Sequence, residues 1–306
     1  MGRLARVKAE NSGAFYHLCG KVAGVIGEYP LDDKRCRRKI VDFIRLFSKV
    51  YCCRVLGFCI MGNHYHLVVH MDSPRPLNRK ELRDRAEILY KKTILDAWFE
   101  ANWKRFEERI FDVSELMRSL QSKIARWFNV THNRQGRFWA DRFKSVLLED
   151  EKAAFDCLLY VELNPVRAGI VSRPEEFDGS SLYYRELKDD KWMAPLTEIT
   201  NRSNRAAALL DYKSCVYYRG SVPTKGNQAA ISKRLLAEEE SRGFTSEGFF
   251  QKRIRHFTDG VVIGSEEFVQ EKLNNLRAAG QYLRRKKPVS QMDGIHTSLR
   301  PQRGTA

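Results

Sequence analysis

The stretch Arg54–Val69, with the sequence RVLGFCIMGNHYHLVV, decides the fold. It consists of two apolar runs, Arg54–Met61 and His64–Val69, separated by the pair Gly62–Asn63. A Gly-Asn pair between two apolar runs is typical of a tight turn between antiparallel strands. The stretch therefore predicts a β-hairpin, and its apolar character predicts a place at the centre of a sheet.

The segments around this hairpin alternate between strand and helix patterns. Their order, strand, helix, strand, strand, helix, strand, helix, predicts an α+β fold with a ferredoxin-like antiparallel sheet and an extra helix packed against it. That fold class hosts many functions, so it decides little about activity. The predicted flanking elements are a strand at Phe15–Cys19, a helix through Ile40–Val50, a helix capped by Ser114, a strand at Arg137–Leu148 and a helix from Ala153 to about Leu163.

Composition shifts along the chain predict how it is organised. The main domain is expected to end near residue 185, where the apolar pattern loosens. The predicted units are residues 1–185 with a charged helical insertion at about 74–112, a connecting region at 186–225, a helical C-terminal region at 226–285 with helices at 229–240, 246–257 and 265–279, and a basic disordered tail at 286–306.

The net charge favours polyanionic partners. The sequence has 54 Lys and Arg against 38 Asp and Glu, a formal charge of +16, which makes nucleic acid the first candidate. We expect no membrane partner, because no apolar run approaches the length of a spanning helix, and the N-terminus has no signal-peptide pattern. The predicted location is cytoplasmic. Seven cysteines without a CxxC pair fit neither a disulfide framework nor a zinc ribbon.

His64 and His66 lie two residues apart in the second predicted strand. Side chains at this spacing project from the same face, so both imidazoles can share one metal ion, while Tyr65 should face the other way. The alternative is that one or both are ordinary half-buried histidines. Spacing alone does not decide between the two.

Tyr160 and Asn164 lie one turn apart on the last predicted helix of the main domain. This places a phenol and a carboxamide on one helix face, where a hydroxyl nucleophile and an oxygen ligand can meet one metal. The alternatives are a core aromatic for Tyr160 and a helix C-cap ahead of Pro165 for Asn164.

Three separated segments, Met61–Val68, Gly136–Ser145 and Tyr160–Gly169, together resemble the single-tyrosine HUH transposases. Among these, the chain is most similar to the REP-associated tyrosine transposases, over roughly residues 10–185. Gly62 departs from the family pattern, since many relatives have proline or another residue there. This change loosens the turn without touching a ligand.

The resemblance implies a fold of the HUH endonuclease type and a set of site residues. It assigns Tyr160 as the nucleophile, His64 and His66 as ligands of a divalent metal (Mg²⁺ or Mn²⁺), and Asn164 as a third ligand. The implied partner is single-stranded DNA folded into hairpins of palindromic repeats. The implied reaction leaves a 5′-phosphotyrosine on the protein and a free 3′-hydroxyl on the DNA.

Basic and aromatic residues surround these motifs. Arg137, Arg142, Lys144 and Arg167 are the predicted contacts to DNA phosphates, with a solvated surface as the alternative. The nearby aromatic residues can stack on bases or pack in the core, and we favour core packing. These aromatic residues are Tyr65, Phe138 and Trp139.

The sequence thus predicts a metal-dependent single-stranded DNA endonuclease and strand transferase. The alternative is a basic nucleic-acid-binding regulatory protein that kept the fold without cutting. A structural zinc site ranks last, because no cysteine lies at suitable spacing from His64 or His66. Monomer and homodimer both remain open.

Overall fold

In the computed structural model, the Gly62–Asn63 turn joins two antiparallel strands, β2 (Cys53–Ile60) and β3 (His64–Met71). The predicted hairpin is therefore confirmed, but its predicted place at the centre of the sheet is wrong for β2, which forms an edge. A register shift between Val55 and Gly57 interrupts the pairing within β2. The structure describes residues 7–9, 13–24, 29–200, 202–222, 228–244, 260–281, 288–290 and 296–299.

Strand β1 (Ala14–Lys21) lies at the centre of the sheet. It pairs antiparallel with β3 on one side and with β4 (Lys144–Leu148) on the other, which gives the order β2-β3-β1-β4. Helix α1 (Lys34–Val50) follows β1, and helix α5 (Val113–Thr131) precedes β4. This is the ferredoxin-like arrangement that the element order predicts.

Strand β4 is shorter than predicted, because regular pairing begins only at Lys144. The preceding segment runs beside the end of β1 without forming a continuous strand. There Trp139 forms an isolated bridge with Val22, and the Ala140 amide donates to the Lys21 carbonyl at 2.9 Å. The segment is thus held against the same end of the sheet as the turn before His64.

The C-terminal part of the chain extends the sheet. Within the described residues the sheet has seven strands, with β5 (Val262–Gly264) parallel to β4 and followed by β7 (Thr297–Leu299) and β6 (Val289–Ser290). The sequence prediction gave this region only helices and a disordered tail. Strands of two or three residues have too little alternation to be recognised, and they form here because β4 offers a partner.

Several of the helices begin at polar caps. Asp33 accepts from the Cys36 amide at the start of α1, and Asp112, rather than the predicted Ser114, caps α5. The predicted helix at 246–257 lies outside the described residues. The remaining helices are α2 (Arg79–Glu87), α3 (Lys92–Asp96), α4 (Glu100–Ile110), α6 (Glu151–Glu162), α7 (Asn164–Arg167), α8 (Ser181–Glu186), α9 (Leu196–Thr200), α10 (Arg205–Ser221), α11 (Lys233–Glu240) and α12 (Glu266–Ala278).

Two apolar clusters lie on the two faces of the sheet. Tyr16, Leu18 and Leu67 belong to the cluster that includes α1 and α5, whereas Val68 belongs to the cluster that includes α6 and α10. Segment 186–225, predicted as a connecting region, contains the 17-residue helix α10 and so contributes to the second cluster. No helix of the described residues is both long and apolar enough to cross a membrane.

Candidate active site

The alternation of β3 brings His64 and His66 to the face covered by α6. Their ring centroids lie 5.0 Å apart, with the ring planes at 90°. Tyr65 points to the opposite face, where it is fully buried against Trp139, with the two ring centroids 5.5 Å apart. The expected orientation of all three side chains is therefore confirmed.

Strand β1 adds two further side chains to the histidine face. Cys19 is paired with His66 in the β1–β3 register, and His17 lies two residues before it. The Cys19 Sγ lies 3.2 Å from His66 Nδ1 and 3.3 Å from His17 Nε2. His17 Nε2 and His66 Nδ1 are 3.0 Å apart. The three buried side chains form a compact group whose ligand atoms are close enough to hold a metal ion.

The sequence prediction found no cysteine at suitable spacing along the chain from His64 or His66, whereas the fold places Cys19 beside His66. Cys19 and His66 are 47 residues apart in the chain but directly opposite in the sheet. Spacing along the chain identifies only ligands that are close in sequence, whereas the pairing of β1 with β3 brings together residues that are far apart in sequence. One sequence signal existed, since His17 and Cys19 alternate along a predicted strand and must share a face.

Burial keeps the histidines neutral. It lowers the pKa of His66 well below its usual range, with further lowering by His17 and His64. The pKa of His64 is also lowered, by burial and by the Lys21 ammonium. Burial raises the pKa of the Cys19 thiol to about 12, against a smaller lowering by Lys144. Neutral imidazoles have the free lone pair that metal binding requires.

The hydrogen bonds indicate which nitrogen of each histidine is available. His64 Nδ1 lies 2.7 Å from the Asn63 side-chain oxygen, which can only accept, so the His64 proton is on Nδ1 and Nε2 has the lone pair. His66 Nε2 is buried, and no described residue forms a hydrogen bond with it. The Nε2 atoms of two neutral imidazoles are suitable ligands for a divalent metal ion, and a metal would give the buried His66 Nε2 a partner.

Tyr160 lies on α6, which crosses β1, β2 and β3 on the histidine face. Its half-buried ring is edge-on to His66, with the centroids 5.8 Å apart, and edge-on to His17 at 6.1 Å. Gly57 allows this close approach of α6, since a Cβ there would lie 2.6 Å from Leu158 Cδ2. The phenol and the histidine pair thus share one site.

Asn164 uses its amide nitrogen within its own helix end. Nδ2 donates to the Tyr160 carbonyl at 2.9 Å and to the Val161 carbonyl at 3.3 Å. This is the capping role that the sequence left open as an alternative. The atom that could serve a metal is the side-chain oxygen, so the capping role and the predicted ligand role use different atoms of the amide.

The predicted DNA contacts lie at the end of the sheet where His64 is located. Arg137, Arg142 and Lys144 are exposed, and Arg167 is half-buried just after the helix of Tyr160. Lys144 is opposite Cys19 in the register, and Lys21 is opposite His64. Two cations, Lys21 and Lys144, therefore lie beside the positions of His64 and Cys19.

The aromatic residues near the motifs pack inward. Phe138 and Tyr65 are buried, which confirms the preference for core packing. Trp139 is half-buried and donates its indole nitrogen to the Gln121 carbonyl at 2.9 Å. Both Trp139 and Phe138 hold the 137–143 segment against α5 and β1 rather than presenting free faces to bases.

Comparison with known proteins gives a distant structural match. No family model and no curated protein matches the sequence. A solved structure of a REP-associated tyrosine transposase bound to a REP hairpin is similar over 62% of this chain and 87% of that chain, with a TM-score of 0.39 and 10% sequence identity. Similarity at this level gives no correspondence between individual residues, so the candidate site depends on its own geometry.

Proposed function

We propose that this protein cuts and rejoins single-stranded DNA through a covalent link to Tyr160, with a divalent metal held by His64 and His66. The main support for this function is that the Tyr160 ring lies against the histidine pair. The ring centroids of Tyr160 and His66 are 5.8 Å apart. A core aromatic would need neither an orphaned imidazole nitrogen nor the nearby cations Lys21 and Lys144.

The chemistry follows from these groups. The Tyr160 hydroxyl would lose its proton to solvent as its oxygen forms a bond to phosphorus, while the bond from phosphorus to the 3′-oxygen breaks and that oxygen takes up a proton from solvent. A bound divalent ion would neutralise the charge on the phosphate oxygens and orient them. His64 and His66 would hold that ion as neutral ligands and leave its charge intact. The predicted third ligand is Asn164, through its side-chain oxygen.

A covalent phosphotyrosine favours rejoining over hydrolysis. The energy of the phosphodiester is kept in the protein–DNA link, so a second 3′-hydroxyl can reverse the step and join new ends. The basic residues Arg137, Arg142 and Lys144 would bind the strand by its phosphates. A hairpin of palindromic repeats is the proposed substrate, and Mg²⁺ or Mn²⁺ the proposed metal.

The test is to incubate the protein with labelled single-stranded hairpin DNA and Mn²⁺, and to separate the products on a denaturing gel. We expect a covalent adduct that requires the metal and disappears in Tyr160→Phe. Tyr65→Phe is the matched control, because this buried tyrosine lies next to the histidines on the opposite face. Its adduct should persist. Binding of several hairpins without an adduct would favour the non-cleaving nucleic-acid-binding protein.

A further inference from the structure

The Nδ1 atom of His66 faces buried polar groups of β1. It lies 3.0 Å from His17 Nε2 and 3.2 Å from Cys19 Sγ. The His17 and His66 rings are inclined by only 21°, with centroids 5.1 Å apart. The centroid distance exceeds the nitrogen–nitrogen distance by about two ring radii, so the two nitrogens point at each other. This is the geometry of a hydrogen bond in the plane of both rings.

A neutral imidazole has one proton, and its position decides what the other nitrogen can do. With the proton on Nδ1, His66 donates to His17 and leaves a lone pair on Nε2. With the proton on Nε2, His66 would bury an N–H for which no described residue supplies an acceptor. In folded proteins, a buried N–H group without an acceptor is rarer than a buried acceptor without a donor. The surroundings therefore favour the Nδ1 proton.

We propose that His17 is a positioning residue: by accepting the Nδ1 proton of His66, it keeps the His66 Nε2 lone pair directed into the metal site. The role of His66 as ligand rests on the proposed function, whereas the position of its proton does not. Ligand histidines commonly donate their second nitrogen to an acceptor, which fixes both the ring and the tautomer.

Asn63 has the same relationship to His64. Its side-chain oxygen takes the Nδ1 proton of His64, 2.7 Å away. Both histidines then present Nε2, although one acceptor comes from the turn of the hairpin and the other from a neighbouring strand. Cys19 completes the surroundings of His66 as a second buried partner of Nδ1.

The first test is the tautomer of His66 in the metal-free protein, read from long-range ¹H–¹⁵N NMR correlations with ¹⁵N-histidine labelling. The His66 signals are assigned by their loss in His66→Asn. We expect a proton on Nδ1 and an unprotonated Nε2. A proton on Nε2 would overturn the proposal. This measurement needs neither metal nor DNA, so its result is independent of whether the protein cuts.

The second test is Mn²⁺ affinity, measured by electron paramagnetic resonance of the free ion. His17→Leu removes the acceptor and should weaken binding by about ten- to a hundredfold. His17→Gln places an amide oxygen near the lost nitrogen and should restore most of the affinity. Equal affinity in wild type and His17→Leu would overturn the proposal. If His17→Leu does not fold, the NMR measurement of the His66 tautomer in the wild-type protein tests the proposal by itself.

A third measurement separates positioning from direct ligation. The group of His17, Cys19 and His66 could hold a thiophilic ion itself. Co²⁺ bound through Cys19 would give a thiolate-to-cobalt charge-transfer band that Cys19→Ser abolishes. We expect no such band. Its appearance would place the ion between Cys19 and His66 Nδ1, where Nδ1 must carry a lone pair instead of a proton, and would overturn the positioning role whether or not Tyr160 forms an adduct.

Discussion

Asn164 Nδ2 donates to the carbonyl oxygen of Tyr160, 2.9 Å away, and so ties the last turn of α6 to the first residue of α7. The residue proposed as nucleophile and the residue proposed as third ligand are thus linked through the backbone. The hydrogen bond gives the Tyr160 carbonyl a side-chain donor at the helix end, where backbone N–H donors run out.

Two variants separate the capping and ligand roles of Asn164. Asn164→Ala removes both the donor and the oxygen, so we expect a loss of about 1 kcal/mol in the free energy of unfolding and weaker Mn²⁺ binding. Asn164→Asp removes the donor but keeps an oxygen ligand. It should lose similar stability in urea titrations while retaining the metal. Unchanged metal affinity in Asn164→Ala would exclude the ligand role.

Gly57 sets the distance between β2 and α6. A Cβ at this position would lie 2.6 Å from Leu158 Cδ2 and 2.7 Å from Ser181 Oγ. We expect Gly57→Ala to lower the free energy of unfolding by about 1–3 kcal/mol, since both neighbours are buried. The control is the double variant Gly57→Ala with Leu158→Ala. Its loss in the free energy of unfolding should be less than the sum of the losses in the two single variants. Additive costs in urea unfolding would argue against a clash with Leu158.

Glu162 makes the stability depend on pH. This buried carboxyl accepts hydrogen bonds from Ser181 and from Tyr212, and burial raises its pKa to about 7, against smaller lowering by Ser181 and Arg185. Its folded pKa exceeds its unfolded value, so the folded state holds the proton more tightly between these values. The free energy of unfolding should therefore fall as pH rises from about 4.5 to about 7.

The full contribution of Glu162 over this window is about 3 kcal/mol, because each pKa unit corresponds to roughly 1.4 kcal/mol. Glu162→Gln stays neutral at every pH and should lack this decline. The measurement is chemical unfolding of both proteins at pH 5 and pH 8. Identical pH dependence in the two proteins would show that Glu162 does not titrate in this range.

Lys144 should contribute one phosphate contact to DNA binding. It is exposed at the start of β4, opposite Cys19 in the register. Lys144→Ala should weaken binding of single-stranded hairpin DNA and reduce the slope of log affinity against log salt concentration by about 1. The matched control is Lys191→Ala, an exposed lysine in the segment that lies beside the edge strand β2, which β3 and β1 separate from β4. Equal slopes for both variants would contradict the predicted DNA surface.

Much of the core fold could be predicted from the sequence because its signals are local. The Gly62–Asn63 turn and the apolar runs beside it specify the hairpin, and the helical spacing before Val50 specifies α1. The C-terminal strands could not be predicted in this way. Val262–Gly264 and Thr297–Leu299 are too short to show a period of their own, and they are strands because they pair with each other and with β4.

The sequence by itself determined that His64 and His66 share a face, since side chains alternate along any strand, and that Tyr160 and Asn164 lie one turn apart. It also determined the basic charge. Only the tertiary structure decided that His17 and Cys19 join His66, because the register between β1 and β3 depends on contacts between residues far apart in the chain. The close packing of α6 on that face then brought Tyr160 to the histidines.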